Sequence, residues 1–201
     1  MLKHPVSMKI NGPQSLRLRL AGLCLLAALA AGPLYAQPAA QPPAPALQAV
    51  AQPRLAGQGE MRFLGLRIYD ARLWVGPQFQ AQAFAASPLV LELTYHRAFS
   101  AQSIAERSVQ EIKRQRPLDA EQAARWTAQL AQWLPAVQSG DRLTGVYLPG
   151  QGMRLWLGEQ SLGQLSDAEL ARHFFGIWLS PQTSEPGLRN ALLAGLQESP
   201  P

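Results

Sequence analysis

The stretch GQGEMRFLGLRIYDARLWV, residues 57–75, sets the central problem, because it carries Arg62 and Tyr69 inside an apolar, β-favouring run. Side chains of one unbroken strand alternate between faces, so residues seven apart point to opposite sides. Tyr69, Ala71, Leu73 and Val75 form one apolar face, and Asp70 and Arg72 lie on the other. Gly65 stands between the two polar residues, and a strand glycine often marks a bulge or tight turn. One inserted residue would bring Arg62 and Tyr69 to the same face. A guanidinium on an inner sheet face needs an anion or several acceptors, since desolvating it alone is costly. A ligand carboxylate or phenolate would satisfy it. The alternative is a solvent-facing Arg62, or one paired with Glu60, Asp70 or Glu92.

Further along, residues 88–97 place Leu89, Leu91, Leu93 and Tyr95 on one face with Glu92 and Thr94 opposite, a second strand with a one-sided core. Tyr95 follows the apolar face and is a candidate to close a cleft. Ser100 is a good N-cap for a helix carrying Ala101, Ile104, Ala105, Val109 and Ile112 and stopped by Pro117. Asp119 opens another, with Ala123, Trp126, Leu130 and Trp133 near the helical period. Residues 142–148 and 153–159 read as a hairpin around Pro149-Gly150-Gln151-Gly152, and residues 160–165 as a link that can itself be a short strand. A capping box from Ser166 to Glu169 leads into ELARHFFGIWL, and residues 185–196 form a last short helix. This order predicts an α+β domain, an antiparallel sheet with helices on one face, over residues 54–197.

Before the domain, residues 1–20 hold Lys3, Lys9, Arg17 and Arg19 with no acid, followed by AGLCLLAALAAGPL. That apolar run is too short to span a bilayer stably and reads as the core of a signal peptide, residues 1–36, with translation starting at Met1 or Met8. The expected location is therefore periplasmic or secreted, with no transmembrane span once the leader is removed. Residues 37–53, rich in Ala, Pro and Gln, read as a flexible spacer. Four of the 18 basic residues belong to the leader, so the remaining 14 oppose 13 acids and the net charge of +5 falls to +1. A nucleic-acid partner is not expected on that balance. The cluster Lys113, Arg114 and Arg116 ends a helix, where cations suit the dipole. Cys24 lies in the leader, leaving no cysteine beyond it, and His96 and His173 have no carboxylates at ligand spacing, so neither metal nor cofactor is expected. No serine triad, Walker loop or dinucleotide motif occurs, and the fragments at Gly57–Gly59 and Gly150–Gly152 read as turn glycines. The five tryptophans read as packing.

The paired glycines before Arg62, then IYDARLW, the L-x-L-x-Y strand, the GDRLTGVYLPGQGMRLW hairpin and FFGIWLSPQTSEPGLRNALLAG together resemble the bacterial chalcone isomerase-like family across nearly all of residues 54–197. The resemblance implies an open-faced β-sandwich, a large antiparallel sheet wrapped by helices, with an apolar cleft between them. It also implies ligand-binding roles for Arg62 and Tyr69, which match the pair that holds a carboxylate in the plant fatty-acid-binding members, and for His173 on the last long helix. In the catalytic isomerases a threonine and a second tyrosine polarise the substrate carbonyl. Here Gly65 stands at the threonine position, and Ala101-Gln102-Ser103-Ile104 supplies no tyrosine. The expectation is an exported, non-catalytic binder of a small amphipathic, fatty-acid-like carboxylate or a phenolic ligand. The alternatives are an intramolecular lyase or isomerase acting on a chalcone-type enone, and an envelope protein that works through protein partners.

Overall fold

The computed structural model describes residues 41–196. The expected leader, the first part of the spacer and the C-terminal tail lie outside the described residues. Six strands form one antiparallel sheet in sequence order: β1 (Arg54–Phe63), β2 (Leu66–Val75), β3 (Leu89–Tyr95), β4 (Arg142–Leu148), β5 (Gly152–Leu157) and β6 (Gln160–Leu165). The long connection from β3 to β4 carries two helices, α2 (Ala101–Gln115) and α3 (Ala120–Trp133), preceded in the chain by a short α1 (Ala44–Leu47). After β6 come α4 (Ala168–Leu179) and α5 (Pro186–Leu192). The result is the expected α+β arrangement, with α2 to α5 layered over one face of the sheet.

Local chemistry explains the helix ends. The Ser100 hydroxyl accepts from the Ser103 amide at 3.1 Å, and the Asp119 carboxylate accepts from the Gln122 amide at 2.7 Å. In α4 the cap is Asp167, which accepts from the Leu170 amide at 2.9 Å; the expected Ser166 box is displaced by one residue. The main core joins Leu73, Leu89, Leu91 and Leu155 of the sheet to Ile112, Leu130, Phe175 and Leu179 of the helices, all buried. Two glycines read as turn residues lie within β1. A Cβ on Gly57 would collide with the Ala191 and Leu192 carbonyls, so glycine is what lets α5 lie against the strand.

The opening stretch is a hairpin, which corrects the single strand expected from it. Leu64 and Gly65 form a two-residue turn, with φ of +50° and +79°. The re-registration inferred from Gly65 does occur, but elsewhere. Met61 pairs with Tyr69 whereas Arg62 pairs with Arg67, which leaves Ile68 as the extra residue of a bulge in β2.

Part of the stretch read as a spacer is structured. Residues from Pro43 onward turn into α1, and Ala46 and Val50 pack against Trp74, Val90, Val146, Leu148 and Trp156 on the sheet's other face. That face carries a buried ion cluster too, with Glu92 bonded to Arg72 and within 3.5 Å of an Arg142 nitrogen. A strand whose sides are both covered does not show its second apolar stripe as clean alternation.

Candidate functional site

Between the sheet and α2, α4 and α5 lies a cavity of about 300 Å³. Its floor is Met61, Phe63, Ile68 and Tyr69 from the first hairpin, with Leu93, Tyr95 and Leu143 beyond. The bulge at Ile68 is what turns two consecutive residues of β2, Ile68 and Tyr69, into this space. Ile104, Phe174, Ile177 and Leu188 form the apolar part of the helical wall.

The lining also carries a few polar groups. The indole nitrogen of Trp178 donates to the Tyr69 hydroxyl at 3.0 Å, and the hydrogen of that hydroxyl has no acceptor among the described residues. The Tyr69 and Tyr95 rings meet edge to face with centroids 5.7 Å apart. Burial raises the pKa of Tyr69, with the bond from Trp178 pulling the other way; burial also raises that of Tyr95. Both hydroxyls therefore stay neutral donors at ordinary pH.

From α2, Arg107 and Glu111 line the cavity one helical turn apart, and Ser184 and Glu185 approach from the α4–α5 link. Glu111 is only 7% exposed. Its Oε2 accepts from the Ser184 hydroxyl at 2.7 Å, and its Oε1 lies 2.7 Å from an Arg107 nitrogen. That contact is an ion pair without hydrogen-bond alignment, so Oε1 remains a buried acceptor with no hydrogen bond. The Arg107 guanidinium also stacks over the Phe63 ring at 5.6 Å and makes no hydrogen bond among the described residues. It has donors to offer a ligand.

Of the four expected ligand residues, the structure brings Tyr69 and Tyr95 together in the cavity and leaves Arg62 and His173 out. Arg62 is on the opposite face, 56% exposed, ion-paired with Glu60 and donating to the Gly65 carbonyl at 3.2 Å. Its pairing with Arg67 follows from the hairpin register, and a bulge placed after the turn moves Ile68, not Arg62, across the sheet. His173 lies midway along α4, its Nε2 within 3.1 Å of an Arg172 nitrogen and 3.4 Å of an Arg116 nitrogen, with its ring near Trp126. Burial, then Arg172 and Arg116, lower its pKa. Trp178, read as packing, is instead a polar partner in the site. Arg107 and Glu111 were not among the expected site residues; the signal was their four-residue spacing beside the buried Ser108 and Ile112.

A family model described as chalcone isomerase-like matches residues 51–194. A fatty-acid binding protein of Arabidopsis thaliana is structurally similar, with a TM-score of 0.53, 14% sequence identity, and coverage of 72% of this chain and 89% of that one. At that identity the likeness concerns the fold alone. No curated protein matches the chain. The six-stranded sheet, the helical layer and a family match covering most of the chain lead to one conclusion: this protein belongs to the chalcone isomerase-like family.

Proposed function

We propose that this protein is an exported, non-catalytic binder of a small amphipathic acid, fatty-acid-like in having an apolar tail and a carboxylate head. The observation that carries this reading is the cavity itself, apolar along most of its lining, with the bonded pair Tyr69 and Trp178 and the Arg107 guanidinium among its few polar groups. At about 300 Å³ it lies at the low end of the roughly 300–1,000 Å³ of small-molecule pockets, which favours a short or single-chain ligand. The tail would lie against Ile68, Leu93 and Phe174. The head would take the unused Arg107 donors and the Tyr69 hydroxyl, the cationic role expected of Arg62 falling to Arg107. The plant neighbour's description as a fatty-acid binding protein supports the same ligand class.

Two features weigh against isomerase chemistry. The glycine at the expected threonine position lies in the exposed turn, with open space around it. The start of α2 brings Ser103 and Ile104 to the cavity, and no second tyrosine.

The test is native mass spectrometry and solvent extraction of the purified protein, followed by titration with medium-chain and long-chain carboxylic acids. A retained or titratable acid, weakened by Arg107→Ala and indifferent to Arg62→Ala, is the expected result. Failure of every acid to bind would overturn the reading. Chalcone cyclisation faster than in buffer, and abolished by Tyr69→Phe, would transfer the cavity to the isomerase alternative. Export is checked by fractionating producing cells.

A further inference from the structure

The tip of the first hairpin exposes a run of apolar side chains. Phe63 is 48% exposed, Leu64 86% and Leu66 50%, and these are three of the four large hydrophobic residues exposed among the described residues. Isolated exposed leucines are ordinary, but an unbroken apolar run at a protruding turn is not. The backbone adds a second anomaly. Leu64 holds a φ of +50°, a conformation that two-residue hairpin turns ordinarily assign to Asn, Asp or Gly. A leucine there is unfavourable twice over, in conformation and in solvation, and nothing in the fold uses its side chain.

Behind the tip stands a collar of arginines. Arg62 and Arg67 occupy one face of the hairpin, both ion-paired to Glu60, with Arg67 also 3.2 Å from Asp70. On the other face Arg107 covers the Phe63 ring. Arg97 is exposed just beyond β3, whose following residue His96 bonds through its amide to the Ile68 carbonyl beside the bulge. Four arginines therefore flank the tip against three carboxylates, Glu60, Asp70 and the Glu111 that pairs with Arg107, and Arg97 is the exposed one without an ion pair among the described residues. Arg62 also braces the turn itself, through the Gly65 carbonyl.

We propose that this hairpin tip docks on an anionic lipid surface, with Leu64 and Leu66 entering the apolar boundary and the arginines reaching the headgroups. Apolar residues at an exposed turn, flanked by long cationic side chains, match the layering of a bilayer interface. Charge complementarity with anionic headgroups argues for that partner over a second copy of the same arginine-flanked tip, which would repel it. The contact is peripheral, since no helix among the described residues is long and apolar enough to cross a membrane. Phe63 and Ile68 belong to both the tip region and the cavity lining, so docking would bring the cavity's rim to the membrane. The proposal stands on the surface alone and does not require the cavity ligand to be an acid.

The decisive variant is Leu64→Asn, which creates the Asn-Gly pair preferred in such turns. The full chain and the variant are compared for co-sedimentation with vesicles of phosphatidylglycerol and phosphatidylethanolamine and of phosphatidylcholine alone, with hydrogen exchange followed at residues 61–67. The expected result is salt-sensitive binding to the anionic vesicles that slows exchange across the tip. The variant should bind on the order of tenfold more weakly, as loss of one inserted leucine implies, while its unfolding temperature rises. Opposite movement of binding and stability excludes misfolding as the cause. Equal partition of the two proteins, an unprotected tip in the presence of vesicles, or a dimer that dissolves on Leu64→Asn would overturn the proposal.

Discussion

Among the described residues two carboxylates are buried, one on each side of the sheet, and they are treated differently. Glu92 on the α1 side is fully enclosed. It is bonded to Arg72, accepts from the Thr144 hydroxyl at 3.4 Å, and lies within 3.5 Å of an Arg142 nitrogen that also donates to the Gln41 carbonyl at 2.9 Å. Glu111 on the helical side is nearly as enclosed and lines the cavity beside Arg107, yet one of its oxygens has no hydrogen bond. A closed network fixes one arrangement of the strands. A half-satisfied carboxylate next to a cation with unused donors is a place where something else can bind.

The difference predicts opposite outcomes for the two sites. Glu92→Ala should destabilise the fold by about 3 kcal/mol, because breaking a buried pair typically costs about 3–5 kcal/mol and the two arginines here retain some access to water. For a chain of this size that is a fall of roughly 6–12 °C in unfolding temperature, measurable by calorimetry. Ligand affinity, measured on the folded fraction, should hardly move. A stable Glu92→Ala protein would break the comparison, since Glu92 would then be as expendable as a surface acid.

On the cavity side the order reverses. Arg107→Ala should weaken binding of a carboxylic acid about tenfold, the lower end of what a charge-assisted hydrogen bond implies for a partly exposed donor, with a smaller fall in unfolding temperature than Glu92→Ala because Ser184 and Arg114 still reach the Glu111 carboxylate. Glu111→Gln keeps an acceptor for Ser184 and removes the charge competing for Arg107, so acid binding should tighten roughly threefold. Both constants come from isothermal titration. If Glu111→Gln weakened the acid as Arg107→Ala does, the carboxylate would be a ligand contact and the two residues a single recognition unit.

The fold was legible where each element answers to its own neighbours in sequence. Ser100 and Asp119 announce their helices because a cap is a three-residue interaction, and the β4–β5 hairpin follows from its Gly and Pro turn. The Leu64–Gly65 turn was missed because leucine is the wrong residue for it; the local signal was absent since that position answers to exposure and not to folding preference. The same omission misplaced Arg62, for a hairpin and a bulged strand send it to opposite faces. Tyr69 and Tyr95 were found because apolar alternation alone points them inward. Arg107 and Glu111 were not, because a charge pair on a helix looks the same facing water as facing a cavity, and only the packing of α2 on α4 tells them apart.

A third polar site offers the smallest effect and the sharpest control. His173 packs against the helices but away from both carboxylate sites, facing Arg116, Arg172 and Glu169 with Trp126 beneath. Two guanidinium groups donate toward its Nε2, which suits a neutral imidazole with that lone pair free, and its pKa is held below the ordinary value of about 6.5. The unfolded chain then binds a proton at a pH where the folded one does not. The stability contributed by neutral His173 is therefore complete above about pH 6.5 and is lost as the pH falls through and below that value. Unfolding temperatures taken from pH 7.5 down to 5 should decline less steeply in His173→Gln than in the parent. Acid affinity at pH 7.5 should be the same in both proteins, because nothing joins His173 to Tyr69 or Arg107. If His173→Gln shifted that affinity instead, the separation of cavity from helix exterior would be false, and the contrast between the two carboxylates would lose its reference point.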